Sequence, residues 1–183
     1  RDPDPTVMDI IGEIEDWYTE EEGEEAAPEL PEVGDEIVGQ VSVFEARGVW
    51  VKFGKLKGLI LDLRGNPGGL LDQAAKMADL FISEGTLVKT VGFGDKVREP
   101  KMASERGTLS DLPIAVLVNR LSASASEIFA GAIQDYGRGL VIGTQTFGKG
   151  TVQTLQPLLR GQLKMTQAKF YRISGESTQH RGI

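Results

Sequence analysis

The sequence predicts an α/β protein with a largely parallel sheet at its core. From residue 56 onward, short apolar runs of strand length alternate with amphipathic segments of helix length. This alternation is typical of strand-helix units, and strands that are apolar throughout indicate a sheet covered on both faces. From residue 162 to 173, polar and apolar residues alternate instead, which predicts antiparallel strands late in the chain.

The first 36 residues differ from the rest in charge. They hold 15 acidic residues and one arginine, whereas residues 37–183 hold 12 acidic and 19 basic residues. Apolar residues recur at helical spacing from 6 to 18, which predicts an amphipathic helix. The acidic run at 20–32 predicts an exposed linker, because its charges repel one another. The helix would suit docking on the main body, on an adaptor protein or on a second copy of the chain.

Two short strands are predicted before the strand-helix pattern begins. They cover 37–43 and 49–53, where apolar residues are bounded by polar and glycine residues. We therefore expect an N-terminal region over 1–56 and a main domain over 57–183.

Each element of the main domain follows from a local pattern. Apolar runs between glycine, proline and polar residues predict strands, and apolar residues three and four apart predict helices. The first helix is expected to turn inward Leu70, Leu71, Ala74, Ala75, Met77, Ala78 and Phe81. In chain order, the prediction is a strand over 58–63, a helix over 70–81, a strand over 86–92, a polar excursion over 93–112, a strand over 113–118, a helix after Ser124 that ends at Gly137, and a strand over 140–143.

Composition excludes several classes of protein. With 40% hydrophobic and 26% charged residues, the 183-residue chain has the composition of a globular domain. It lacks an apolar run of the roughly 18 residues that would span a membrane. Basic residues are scattered, which argues against nucleic-acid binding. Without cysteine there is no thiolate site, and a single histidine, His180, excludes a metal site built from several histidines. We expect no metal and no cofactor.

The segment from 119 to 136 holds the strongest functional signal. Three serines alternate with alanines between an apolar strand and a helix, at Ser122, Ser124 and Ser126. A helix start carries unpaired N–H groups that can stabilise an oxyanion beside a nucleophile. The simpler interpretation is a capping box, because Ser124 and Glu127 form the S-x-x-E pattern.

Two glycine-rich loops accompany the serine turn. Residues 64–69 read R-G-N-P-G-G, which fits a plain strand-to-helix turn or a backbone cradle for a ligand. Lys149 stands between two glycines, and a lysine in an apolar pocket is disfavoured as the ammonium, so its amine can act as a base. Since histidine is so scarce, a Ser124–Lys149 dyad is the economical assignment. Gln153 lies four residues further on and can orient the amine.

These segments resemble the carboxyl-terminal processing proteases, also called tail-specific proteases, a family of Ser-Lys endopeptidases. The resemblance rests on G-L-I-L-D-L-R-G-N-P-G-G-L-L, on V-N-R-L-S-A-S-A-S-E-I-F-A-G-A-I-Q-D-Y-G-R, on G-T-Q-T-F-G-K-G-T-V-Q and on the late K-F-Y-R-I-S-G. It covers about two thirds of the chain, from residue 57 to 183. The Q-D-Y-G-R and K-F-Y-R features look most like periplasmic members.

The resemblance implies a fold, a site and a setting. The fold would be a crotonase- or Clp-protease-like core of strand-helix units. The nucleophile would be Ser124, the general base Lys149 and the residue that orients it Gln153, with an oxyanion hole from the N–H groups of Ala125 and Gly69. Substrates would be polypeptides with apolar C-termini. The location would be periplasmic, or on the outer side of the inner membrane.

The N-terminal region departs from the family pattern. Members usually carry a PDZ domain before the strand that matches 58–63, and only 33–39 (V-G-D-E-I-V-G) resembles part of one. We therefore expect a remnant of a PDZ-like segment within 1–56. The alternative to an endopeptidase is a non-catalytic peptide-binding or scaffold homologue of the same fold. An acyl-CoA-handling crotonase relative is a third option, which the serine-lysine spacing disfavours.

Overall fold

The structure, a computed structural model, describes residues 40–44, 48–53, 56–98, 100–105, 108–109 and 112–183, with side chains from residue 58 onward. All of them belong to one compact unit, Ile37–Ile183. The predicted N-terminal helix, acidic linker and PDZ-like remnant lie outside the described residues, so the boundary between 1–56 and 57–183 stays a prediction. No helix among the described residues is long and apolar enough to cross a membrane.

Two helices and nine strands make up the described chain, and their order matches the strand-helix pattern. The helices are α1 (Leu71–Asp79) and α2 (Ala125–Asp135). The strands are β1 (Gln40–Phe44), β2 (Gly48–Phe53), β3 (Leu56–Asp62), β4 (Thr86–Gly92), β5 (Lys101–Met102), β6 (Ile114–Val118), β7 (Leu140–Gly143), β8 (Thr151–Pro157) and β9 (Gln162–Tyr171).

The first sheet has five strands in the order β1-β2-β3-β6-β7. Strands β3, β6 and β7 are parallel neighbours, with Leu59 opposite Ile114 and Ala115 opposite Leu140, while β1 and β2 add an antiparallel hairpin. The predicted parallel core is confirmed. Because these three strands end at the same edge, the loops that follow them lie together.

The second sheet has four antiparallel strands in the order β5-β4-β9-β8. Strand β9 pairs with both β4 and β8, and β8 forms an edge of the sheet. The late antiparallel strands are therefore confirmed. The short strand β5 was not predicted, since it lies within the polar segment 93–112.

The helices contribute the side chains that join these parts. Ala74 of α1, Ile128 of α2, Val88 of β4 and Phe170 of β9 belong to one buried cluster, against which Leu71 and Val152 pack. Phe81 meets Phe129 edge to face, with ring centroids 6.0 Å apart. These contacts fix the start of α2, and with it the serine turn, against the second sheet.

The prediction that Leu70 faces inward is wrong. Its side chain is 71% exposed, whereas Ala74, Ala78 and Phe81 are buried as expected. Leu70 has extended backbone angles and stands just before the first helical residue, so it does not share the helical periodicity of the residues that follow. The predicted end of α2 is confirmed, because Gly137 adopts a φ of +60° and its N–H donates to the carbonyl of Gln134.

Candidate active site

The three predicted loops meet at the carboxyl edge of β3, β6 and β7. Hydrogen bonds join the first two directly: Ala123 N–H donates to the carbonyl of Asn66 at 3.0 Å, and Gly65 N–H donates to Asn119 Oδ1 at 3.0 Å. The third joins through Phe147, whose N–H donates to the carbonyl of Ser122 at 3.0 Å. The convergence expected from the topology is confirmed.

The first loop begins with an ion pair on the surface. Arg64 forms two side-chain hydrogen bonds with the carboxylate of Asp62, at 2.9 and 2.7 Å, and its N–H donates to the same group. Hydrogen bonding to this carboxylate, and the negative charge of Asp62, raise the pKa of Arg64. The pair fixes the first turn after β3.

Ser124 stands at the start of α2 in a strained backbone conformation. Its φ is +57° and its ψ is −112°, in a region that residues with a Cβ rarely adopt. A serine on a sharp, strained turn from strand to helix is typical of the nucleophile of α/β hydrolases, because the turn projects the hydroxyl out of the sheet edge. The strain therefore favours the catalytic interpretation over a simple cap.

The turn approaches the first loop so closely that Gly68 has no room for a side chain. A Cβ there would lie 2.4 Å from the carbonyl oxygen of Ala123 and 2.6 Å from the nitrogen of Ala125. Gly68 also has a φ of +86°, which favours glycine. The loop is thus packed against the backbone on both sides of Ser124.

The flanking serines are tied to the first loop rather than to the helix end. Ser122 is fully buried, and its Oγ donates to the carbonyl of Leu63 at 2.7 Å and accepts from Asn119 N–H at 2.9 Å. Ser126 Oγ donates to the carbonyl of Asn66 at 3.1 Å. These bonds use the O–H groups of both serines, whereas the Ser124 hydroxyl donates to no group in the described part of the chain.

Ser124 and Glu127 have the arrangement of a capping box, and the glutamate provides its firm hydrogen bond. Glu127 Oε2 accepts from Ser124 N–H at 2.7 Å, and the Ser124 side chain stands beside the Glu127 N–H, as in a capping box, without forming a full hydrogen bond to it. The predicted capping box is thus present, with Glu127 making its firm hydrogen bond, and Ser124 also lines a cleft.

Two backbone N–H groups beside Ser124 have no acceptor among the described residues. At the helix start, the N–H groups of Ser126, Glu127 and Ile128 donate to carbonyls of the turn, but that of Ala125 does not. The N–H of Gly69, which follows the close contact at Gly68, is likewise unbonded in this part of the chain. These are the two donors predicted for an oxyanion hole.

Glu127 also holds the loop that carries Lys149. It is fully buried, and its carboxylate accepts from Gly148 N–H at 2.6 Å, from Lys149 N–H at 2.8 Å and from Thr146 Oγ1 at 2.7 Å. Together with Ser124 N–H, four donors fill the acceptor positions of a carboxylate. One buried side chain thus joins the serine turn to the lysine loop.

Lys149 and Ser124 line the same cleft, of about 310 Å³. Lys149 is half-buried, and none of the described carboxylates lies within ion-pair distance of its Nζ. The lining contains no acidic residue and consists of Gly69, Leu70, Leu71, Ser124, Ile128, Lys149, Thr151, Val152, Gln153, Thr154, Leu155, Lys164 and Phe170. The site is therefore a cleft with a serine, a lysine and an apolar wall.

Gln153 lines the cleft from β8, but its described hydrogen bond goes elsewhere. Its Nε2 donates to Thr166 Oγ1 on β9 at 3.3 Å. This bond orients the amide and leaves its Oε1 as an acceptor, which is the atom a lysine ammonium would need. The predicted role of orienting Lys149 stays a prediction.

His180 takes no part in the cleft. Its side chain is exposed, its ring Nε2 lies 3.1 Å from Gln179 Nε2, and it is absent from the residues that line the site. This agrees with a base other than histidine. In the described chain, no group of three or more His, Cys, Asp or Glu side chains is arranged to hold a metal ion.

Sequence reasoning missed two contributors to the site. Glu127 was identified as a cap, but nothing in its spacing indicated that it would also hold residues 146–149. Asn66 was identified only as part of a turn, yet its carbonyl accepts from both Ala123 and Ser126, and its Oδ1 accepts from Gly68 N–H. The signal available for Asn66 was the preference of asparagine for such local turns.

The fold and the serine turn define an α/β protein with the site architecture of a serine hydrolase. Residues 42–183 match the model of peptidase family S41, and the chain belongs to that family. The predicted resemblance and fold are thereby confirmed.

Named relatives agree with the assignment. The chain is 53% identical over 133 residues to a carboxy-terminal-processing protease of Bartonella bacilliformis, covering 70% of this chain and 30% of the relative. It is 43% identical over 130 residues to a probable CtpA-like serine protease of Staphylococcus epidermidis, covering 70% of this chain and 26% of the relative.

A solved structure is similar as well. The photosystem II D1 C-terminal processing protease aligns with a TM-score of 0.61 and 37% identity, over 68% of this chain and 32% of that one. The chain thus spans between about a quarter and a third of the length of these three proteins.

Proposed function

We propose that this chain forms the catalytic core of a serine endopeptidase in which Ser124 is the nucleophile and Lys149 the general base. The observation that carries the proposal is that both side chains line one cleft, the serine with a hydroxyl that donates to no described group and the lysine without a described ion-pair partner. The lining contains no acidic side chain that would pair with Lys149 in place of Ser124.

The proposed reaction uses groups of this chain only. The neutral Lys149 amine takes the hydroxyl proton of Ser124 while Oγ attacks the peptide carbonyl. The N–H groups of Ala125 and Gly69 donate to the oxyanion that forms, and each such donor is worth about 3 kcal/mol in comparable sites. The Lys149 ammonium then protonates the leaving amine, and water hydrolyses the acyl-enzyme. Gln153 Oε1 would orient the lysine by accepting from it.

The cleft also supports a preference for apolar side chains. Its wall beside Ser124 is formed by Leu71, Ile128, Val152 and Phe170, which are apolar and pack together. Strand β8 is a sheet edge that lines the same cleft, so an extended peptide can bind there by adding a strand. We therefore propose unfolded polypeptides with apolar residues near the C-terminus as substrates. The helix predicted over 6–18 is proposed as the site for an adaptor or a second copy.

Hydrolysis of a fluorogenic peptide with an apolar tail tests the dyad. We expect Ser124→Ala and Lys149→Met each to lower kcat by about four orders of magnitude, as removal of a triad member does elsewhere. Lys96→Met is the matched control, because Lys96 is exposed and lies outside the cleft. Full turnover by Lys149→Met would exclude lysine as the base.

Substitutions in the peptide test the specificity. Replacing the apolar residue on the acyl side of the scissile bond by asparagine, which carries no charge for the cleft lysines to attract, should lower kcat/KM by about 100-fold, because the wall formed by Leu71 and Phe170 offers its amide no polar partner. Equal rates for both peptides would exclude an apolar subsite. The predicted periplasmic location stays a proposal that fractionation of cells producing the full-length protein would test.

A further inference from the structure

Residues 177–183 run along the outer side of the loop that carries Lys149. Gln179 Oε1 accepts from Gly150 N–H at 2.8 Å, and His180 N–H donates to the carbonyl of Gly148 at 2.8 Å. Further along, Ile183 N–H donates to Thr146 Oγ1 at 2.7 Å. The segment therefore contacts the backbone on both sides of the lysine.

This contact explains why glycines flank Lys149. A Cβ on Gly150 would lie 2.6 Å from Ser177 Oγ and 2.7 Å from the nitrogen of Gln179. A Cβ on Gly148 would lie 3.1 Å from the nitrogen of His180. Side chains at either position would push the segment away, so G-K-G is the sequence of a loop with another backbone pressed against it.

The backbone around Lys149 is held from two directions. On the side of the serine turn, Glu127 accepts hydrogen bonds from the N–H groups of Gly148 and Lys149. On the side of residues 177–183, Gln179 accepts from the next N–H group, that of Gly150. The carbonyl of Gly150 also accepts from Phe170 N–H at 2.9 Å. Since residues 145–150 form no helix or strand, these bonds set the direction in which the lysine side chain leaves the loop.

Gln179 is itself fixed for this task. Its own N–H donates to Ser177 Oγ at 3.3 Å, which closes a small turn, and its Nε2 lies against the His180 ring. Its side chain is half-buried, so little of its amide is free to rotate. Both the backbone and the side-chain amide of Gln179 are therefore in contact with neighbouring residues, and its Oε1 is positioned to accept from Gly150 N–H.

We propose that Gln179 is a positioning residue for Lys149: by accepting from Gly150 N–H it holds the lysine loop in the orientation that points the amine into the cleft. The inference rests on the proposed function, in which Lys149 is the general base. It predicts that loss of the acceptor slows the chemical step while peptide binding, which uses β8 and the apolar wall, is unaffected.

Three variants test the proposal. Gln179→Leu keeps the size but removes the acceptor, and it should lower kcat by about 100-fold with little change in KM, as misplacement of a catalytic group by about 1 Å does. Gln179→Glu keeps an oxygen for Gly150 N–H and should restore kcat to within a few fold of wild type. The matched control is Gln145→Leu, which removes a hydrogen bond between the same two segments, from Gln145 Nε2 to the Arg181 carbonyl, away from the lysine.

Amide hydrogen exchange provides the second readout. In Gln179→Leu the Gly150 amide should exchange faster than in wild type, while amides of β3 and β6 keep their protection, which shows that the variant folds. Wild-type kcat in Gln179→Leu would overturn the proposal, and so would equal losses of kcat in Gln179→Glu and Gln179→Leu.

If the proposed function is wrong, the same measurements give a different set of results. If wild type and Lys149→Met cleave at the same rate, the dyad is wrong. The amide hydrogen exchange rate of Gly150 then decides whether Gln179 positions the loop. An unchanged rate in Gln179→Leu would overturn this positioning role as well.

Discussion

Ser124 ends the turn that starts α2 in a strained backbone conformation, and the backbone of the first loop is packed against this turn at Gly68. Lys149 lies instead in a segment without regular structure, and its backbone is fixed by Glu127, Phe170 and Gln179, which are 20 or more residues away. The two sides of the cleft thus place their functional groups by different means, the serine through a strained and closely packed turn and the lysine through hydrogen bonds to a loop without regular structure.

The comparison has a consequence for mutational sensitivity. A strained turn is maintained by close packing, so it is disturbed by added volume, as at Gly68. A loop held by side-chain acceptors is disturbed by the loss of one oxygen. Glu127 belongs to both sides, because it accepts from Ser124 and from the lysine loop.

Substitution of the shared residue should have the largest effect. Glu127→Gln replaces one carboxylate oxygen with an NH₂ group that faces N–H donors, in a site with no exposure. We expect the free energy of unfolding to fall by about 4 kcal/mol and kcat to fall with it. Urea denaturation measures the first. The matched control is Glu176→Gln, since Glu176 pairs with Arg181 on the surface and should contribute less than about 1 kcal/mol. Similar losses in both variants would contradict the shared role.

Added volume should separate the two sides. Gly68→Ala places a Cβ 2.4 Å from the Ala123 carbonyl oxygen at a φ of +86°, so the serine turn must move. We expect the free energy of unfolding to fall by about 2 to 4 kcal/mol, and Ser124 to react more slowly with a fluorophosphonate probe. Gly148→Ala also has a positive φ, but its nearest atoms lie at 3.1 Å, and the loss should be smaller. A larger loss at Gly148 would reverse the comparison.

Removal of one buried hydroxyl should have an intermediate effect on the serine side. Ser122→Ala leaves the Asn119 N–H without its buried acceptor, while the Leu63 carbonyl keeps only one of its two donors, Asn66 N–H. A loss of about 1 to 3 kcal/mol in thermal or urea unfolding is expected. Ser104→Ala is the control, because its Oγ bonds to Asp79 at an exposed site and should contribute less. An unchanged stability for Ser122→Ala would show that the turn does not depend on this tether.

The smallest effect concerns pH. Burial raises the pKa of Tyr136, whose hydroxyl donates to the Thr86 carbonyl. Folding therefore favours the neutral phenol, and the stability it contributes is complete below the ordinary pKa of about 10 and is lost as the pH rises through the raised value. Thermal unfolding measured at about pH 9 and at about pH 11 should show a larger loss of stability in wild type than in Tyr136→Phe. Parallel losses would contradict this.

Much of the site could be predicted from the sequence because its signals are local. The apolar runs of β3 and β6, the serine turn and the glycines beside Lys149 each carry a pattern that a short window contains. The identity of the cap, Glu127, followed from spacing alone.

The rest depends on tertiary contacts. Strand β8 was missed because T-V-Q-T-L-Q-P is polar and largely exposed at a sheet edge, so no buried face shows in its pattern. Leu70 was placed inward because periodicity does not reveal where a helix begins. The contact of Gln179 with Gly150 joins residues 29 apart, and only the fold brings them together.

The most direct test of the account is labelling by a fluorophosphonate probe, followed by mass spectrometry of the peptides. We predict an adduct on Ser124 in wild type, and a labelling rate at least about 100-fold lower in Lys149→Met, since general-base assistance contributes that much. Ser122 and Ser126, whose hydroxyls are bonded, should carry none. An adduct elsewhere, or an unchanged rate in Lys149→Met, would contradict the assignment of Ser124 and Lys149 as nucleophile and base.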